Sequence, residues 1–190
     1  MSAEWAIIRG SGIAAFALLS ASVIWGLLVS SKLVARFVRA KPLTWFHESL
    51  GIGALLATLV HVFVISIHEF LDFSWAEILI PGTSDWRPLP IAFGTLAMYG
   101  LGVVVVSFYV RKWIGQKTWR AIHFGAFGVF LSSLFHGIQA GSDTASPVVL
   151  GLYAGATIAI FGLLAHRLIP IEADPALLGQ GLTEPGEQSG

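Results

Sequence analysis

The chain has 190 residues, of which 55% are hydrophobic and only 12% charged, where ordinary soluble domains carry about a quarter of their residues as charges; the deficit excludes a fully water-exposed surface and points to lipid. Eleven basic and eleven acidic side chains cancel, so no overall basic field exists to hold nucleic acid, and a mean hydropathy of +0.78 excludes a disordered chain. The absence of cysteine removes disulfides, thiolate zinc sites, iron–sulfur clusters and cysteine nucleophiles, and leaves histidine as the strong nitrogen ligand.

Five apolar runs approach the about 20 residues that a helix needs to cross a bilayer. The first extends from Ala6 to Val29. It is too long for a secretory leader, and Glu4 and Arg9 give no basic start, so a retained helix is expected. The second covers Phe46 to Ile67, the third Ile91 to Val110, the fourth Ile122 to Ala140 and the fifth Val148 to Leu168. Breakers stand at the joints: Lys41-Pro42, Pro81-Gly82, Pro88-Leu89-Pro90, Gly141-Ser142-Asp143, Pro147, and Pro170 after the last run. The expected fold is an all-α membrane bundle of about five transmembrane helices over residues 1–170. Residues 171–190 are polar, acidic and rich in Gly and Pro, which predicts a disordered tail.

Positive charge is concentrated after the first span, in Lys32, Arg36, Arg39 and Lys41, and after the third, in Arg111, Lys112, Lys117 and Arg120. Both loops are expected in the cytoplasm. The loop after the second span carries Glu69, Asp72, Glu77 and Asp85 against Arg87, and the loop after the fourth carries Asp143, so both should face outward. The N-terminus is then outside and the C-terminus cytoplasmic, with Arg167 at the inner end of the last helix. A bacterial plasma membrane is the expected location.

The six histidines are His47, His61, His68, His123, His136 and His166. His47 and His61 lie 14 residues apart in the second span, and His123 and His136 lie 13 apart in the fourth. At 1.5 Å per residue both separations come to about 20 Å. The two spans run in the same direction, which sets the four histidines at two matched depths. Ionisable side chains within a bilayer face the bundle interior and serve ligand or relay roles, and a pair of neutral imidazoles at each depth suits axial ligation of a haem iron. Zinc fits less well, because its ligands must gather around one ion.

Helical phase complicates this arrangement. At about 100° per residue, a step of 14 returns to within about 40° of the starting face, whereas a step of 13 falls about 140° away. Either Gly125, Gly128 or Ser132-Ser133 distorts the fourth span, or two haems approach it from different sides. His68, two turns beyond His61, is a competing outer ligand ranked second, expected to bond locally or to line an acceptor site. His166, beside Arg167, is read as solvated or lipid-facing. The competing account of the four main histidines is a set of interhelical hydrogen bonds or a proton relay.

Trp45-Phe46-His47-Glu48-Ser49-Leu50-Gly51 with Leu59-Val60-His61, and Trp119-Arg120-Ala121-Ile122-His123 with Leu134-Phe135-His136-Gly137, resemble the ferric reductase-like transmembrane domain found in NADPH oxidases and ferric-chelate reductases. The resemblance covers most of residues 6–168. It implies an inner haem b held by His47 and His123 and an outer haem b held by His61 and His136. By charge and position, Arg120 could pair with a haem propionate at the inner level, and Arg87 and Trp86 could serve the outer one, with an ordinary interfacial anchor as the equal alternative. Glu48 is read as a helix-start carboxylate.

Family members of this kind carry a cytosolic flavin and nicotinamide domain after the haem core. No G-x-G-x-x-G follows a strand here, and the stretch to Gly190 has no room for a Rossmann unit. The expected function is electron transfer through two b-type haems to an external acceptor such as ferric iron, as an oxidoreductase component fed by a separate reductase, a quinol or another cytoplasmic carrier. A quinone-linked haem subunit of a partner enzyme is the second reading. A haem-free transporter or scaffold is the alternative of another class.

Overall fold

The computed structural model describes residues 3–31, 40–69 and 71–168. The tail at 171–190 and the basic residues Lys32, Arg36 and Arg39 lie outside the described residues. Seven helices follow in order: α1 (Ala3–Ser30), α2 (Ala40–Ile67), α3 (Trp75–Leu79), α4 (Pro88–Ile114), α5 (Gln116–Phe124), α6 (Ala126–Ala140) and α7 (Pro147–Leu168). Helices α1, α2, α4 and α7, and α5 with α6 taken together, make five elements long and apolar enough to cross a membrane.

These helices outrun the apolar stretches that announce them. Pro88 and Pro90 of α4 and Pro147 of α7 stand in first turns, where a missing N–H costs nothing, so they start helices and do not merely precede them. Helix α4 continues past its apolar run through Arg111 and Lys112 until Gly115, whose φ of 82° ends it. The backbone must stay hydrogen-bonded in lipid, and nothing before Gly115 interrupts it. The short α3 was not foreshadowed by hydrophobic pattern. It is fixed by a capping box in which the Ser74 hydroxyl accepts from the Glu77 backbone N–H and the Glu77 carboxylate accepts from the Ser74 N–H.

Helix α1 is the hub, packing against α2, α6 and α7, while α4 packs against α6. Phe16 of α1 meets Tyr153 of α7 edge-on at 4.9 Å and Phe130 of α6 at 5.7 Å between ring centroids. Lipid removes the hydrophobic drive between helices, so small residues that allow close approach carry the packing. Ala54 is completely buried, and Ala97 and Ala156 nearly so. Large apolar side chains such as Val148, Ile158 and Leu168 are instead turned outward. Exposed Trp45 and Trp113 mark one end of the bundle and Trp75 and Trp86 the other, the placement of interfacial aromatic belts.

Candidate cofactor site

The structure brings the four paired histidines together as two levels. His47 of α2 and His123 at the end of α5 face each other with ring centroids 5.8 Å apart and planes 75° apart. Both line a cavity of about 630 Å³ at the end of the bundle where α4 meets α5. His61 of α2 and His136 of α6 line a second cavity of about 250 Å³ at the other end. Leu19 of α1 and Leu101 of α4 border both cavities, so the wall between the levels is one side chain thick in places.

The tilt of three of the four rings is set by what Nδ1 touches. His61 Nδ1 lies 2.8 Å from the Ile8 carbonyl oxygen, and His136 Nδ1 lies 2.9 Å from that of Pro90. A carbonyl oxygen only accepts, so Nδ1 carries the hydrogen in both rings and Nε2 keeps its lone pair. His47 Nδ1 is 3.2 Å from the Ser22 hydroxyl. His123 is held differently, by stacking on Trp119 one turn earlier at 5.2 Å and 27°. Histidines that bind metals commonly anchor their second nitrogen in this manner, which fixes tautomer and aim.

Among the described residues no group of three or more His, Cys, Asp and Glu gathers around one point. Each level offers two neutral nitrogens, which suits a metal whose remaining positions come with its own macrocycle. Two metal–nitrogen bonds of about 2 Å, with the ring radii added, call for roughly 6 Å between imidazole centroids, close to the 5.8 Å between His47 and His123, whose level is called inner, and that of His61 and His136 outer, after the expected orientation. The inner cavity also falls within the about 300–1,000 Å³ usual for cofactor sites. The outer one falls short of it, so the outer level needs a side-chain rearrangement that the inner level does not.

The fourth span is interrupted at Gly125, between His123 and His136. Helix α5 ends at Phe124 and α6 begins at Ala126, and the Gly125 N–H bonds the Ile122 carbonyl three residues back at 2.9 Å. A turn of this kind rotates the helix by about 20° relative to a regular one, and His123 and His136 line different cavities. Gly128 and Ser132-Ser133 lie inside an uninterrupted α6.

Other residues depart from their sequence reading. Arg87 does not line the outer cavity: its guanidinium lies over Trp86 at 5.0 Å and donates to the Gln139 carbonyl at the end of α6, an acceptor left open by helix geometry. Trp86 does line the outer cavity, and Arg120 lines the inner one. Glu48 is not a helix-start carboxylate, because α2 begins at Ala40. It lines the inner cavity and accepts a hydrogen bond from the Tyr109 hydroxyl. His68 borders neither cavity. It is buried beside Trp5, with Nε2 4.0 Å from a Glu4 carboxylate oxygen. His166 is exposed.

Two pairings were not legible in the sequence. Arg167 donates to the Ser30 hydroxyl at 2.7 Å, tying the ends of α7 and α1 beside the inner cavity. Arg9, within the first apolar run, forms a bidentate pair with Asp143 across 134 positions, its Nε 2.6 Å from Oδ2. Both of these side chains line the outer cavity. Only the long-range packing of α1 against the α6–α7 loop creates this contact, and a lone arginine in an apolar run was the one available hint.

The Arg9 guanidinium holds the Asp143 carboxyl below the usual carboxylate range. Being more acidic folded than unfolded, Asp143 contributes stability above its unfolded value of about 4, and the contribution is lost as pH falls through the folded value. Thermal unfolding of the protein in detergent should therefore show a loss of stability below about pH 4 that Asp143→Asn reduces, the remainder resting on groups such as Glu77, also held below the usual range by its bonds to Ser74 and Asp85. An unchanged acid limb in that variant would show that the pair does not set it.

A family model described as "Ferric reductase like transmembrane component" matches residues 11–134, a stretch that includes His47, His61 and His123 and stops just short of His136. Neither the search of curated proteins nor that of solved structures found a match. The match spans most of the chain and the helices that carry both histidine levels, and the protein belongs to the ferric reductase-like transmembrane family.

Proposed function

We propose that the chain is a membrane haem b protein that carries single electrons across the bilayer through two haems, with His47 and His123 as inner axial ligands and His61 and His136 as outer ones. Family membership points to transmembrane electron transfer and to an oxidoreductase component. The observation that carries the finer reading is the pairing itself: two imidazoles border each of two stacked cavities, and at the outer level both Nδ1 atoms are engaged by carbonyls so that both Nε2 lone pairs are free. Haem supplies the reversible one-electron chemistry, and the protein sets its position and potential.

This chain's residues would do the rest. Arg120 and Arg167 bring positive charge to the inner cavity, suited to propionate carboxylates. Leu19 and Leu101 keep the space between the levels dry and thin. Arg111, Lys112, Lys117 and Arg120 form a basic surface for a separate, acidic electron donor on the cytoplasmic face. The acceptor, such as ferric iron, lies on the outer side. Purified protein in lipid nanodiscs is expected to give a Soret band, a reduced-minus-oxidised b-type spectrum and two haem equivalents per chain. One equivalent would refute the two-level assignment, and a colourless protein would favour the haem-free transporter or scaffold.

A further inference from the structure

We infer that Gly12, Gly26 and Gly94 are positioning residues for His61, His47 and His136: each is a seat that lets an imidazole from a neighbouring helix lie against the backbone with its Nδ1 held by the residue one turn earlier. The inference rests on the haem reading above and adds residues to it. The three sites share one spacing, with a main-chain carbonyl holding His61 and His136 and the Ser22 hydroxyl holding His47. His61 bonds Ile8 and lies on Gly12, His47 bonds Ser22 and lies on Gly26, and His136 bonds Pro90 and lies on Gly94. In every case the hydrogen-bonding residue precedes the glycine by four.

Helix geometry explains the recurrence. Residues four apart share a face, and the carbonyl of the first points at the N–H of the second. A side chain on the second leans back over that turn, which is the space a ring needs to reach the first. Glycine alone leaves it open. A Cβ at Gly94 would stand 2.6 Å from His136 Nδ1 and 2.8 Å from its Cε1, at Gly12 3.0 Å from His61 Cε1, and at Gly26 3.2 Å from His47 Cε1. The two seats on α1 are as far apart in sequence as the two histidines on α2, so one antiparallel register serves both levels. His123, held by Trp119 beside the Gly125 break, has no such seat.

Close helix packing is the competing explanation, and Gly100 separates the two. A Cβ there would stand 2.7 Å from Val129 Cγ2, an overlap across the same α4–α6 contact with no histidine involved. Gly102, with nothing within 4 Å, is the neutral control. Alanine is the better helix former, so any loss in the seat variants is not one of helix propensity.

The test uses full-length protein purified in nanodiscs, reading haem content, the low-spin electron paramagnetic resonance signal and the midpoint potential of each haem. Gly94→Ala is expected to lower outer haem content about tenfold or more, the size of loss found when the partners behind metal ligands are removed. Gly12→Ala should shift the outer haem's signal and potential, and Gly26→Ala those of the inner haem by less. Gly102→Ala should match the wild type, and Gly100→Ala should leave the outer haem unaltered. Unaltered signals in Gly94→Ala and Gly12→Ala would overturn the inference, as would outer-haem loss in Gly100→Ala. If Gly94→Ala does not fold, Gly12→Ala and Gly26→Ala decide by acting on opposite levels, and effects at the wrong level refute the seats. Wild-type protein without haem would sink the parent reading alone. The seat is then read from the His136 side-chain ¹⁵N resonances, which Gly94→Ala should move and Gly100→Ala should not; the reverse would refute it.

Discussion

Alanine at His61 or His136 is expected to reduce the purified protein from two haem equivalents to one, with the surviving haem keeping the wild-type inner spectrum; alanine at His47 or His123 should remove the inner haem and spare the outer. The selectivity follows from the two cavities, which have separate histidine pairs and share only wall residues such as Leu19 and Leu101. Loss of one imidazole leaves its level with a single protein nitrogen. The other level keeps its two ligands and their anchors. His68→Ala is the internal control, expected to retain both haems, because His68 borders neither cavity and is packed against Trp5 and near Glu4. Haem quantification as the pyridine complex, with redox titration of each variant, checks the result. Two full equivalents in all four variants would disprove the ligand assignment, and loss of one haem in His68→Ala would make that residue the outer ligand.

Gly125→Ala is expected to strip the inner haem while leaving the outer one in place. The backbone at Gly125 is ordinary right-handed helix, φ −58° and ψ −16°, so a left-handed conformation is not what requires glycine. The obstacle is distance: a Cβ would stand 2.8 Å from the Ile122 carbonyl oxygen, and that oxygen is backbone held by the same tight turn. The turn must open. A regular turn at this point would rotate α5 by about 20° relative to α6 and swing His123 away from His47. Because His136 is anchored through Pro90 of α4, the displacement falls on α5 and His123. One haem equivalent with the outer haem's potential unchanged is the expected outcome. Two equivalents with wild-type potentials would show that the interruption between α5 and α6 is not what brings His123 to His47.

The same residue shows how far sequence reading reached. Gly125 was among three candidates for a distortion, set beside the alternative that two haems approach the span from different sides. Which candidate served could not be read, since Gly128 and the serine pair have equal licence by residue type. The choice depends on where α6 packs against α4. Arg87 illustrates the opposite error. Charge alone suggested a cofactor partner, but α6 ends beside it with an open carbonyl at Gln139, and an unsatisfied acceptor in a membrane protein is costly. The seats at Gly12, Gly26 and Gly94 were invisible for a related reason. Glycine is frequent in membrane helices, and only the facing helix marks which ones receive a ring.

Five apolar spans and two histidine levels are legible from residue order alone, because span length, breaker residues and helical rise are local properties that read directly along the chain. Which rings meet, which nitrogen His61 and His136 keep free, and the pairing of Arg9 with Asp143 across the bundle emerge only in the folded chain. Those outcomes depend on helix register and on the rotation of each helix about its axis. Register and rotation are fixed by contacts between residues far apart in sequence, where one missing side chain opposite a histidine matters as much as the histidine.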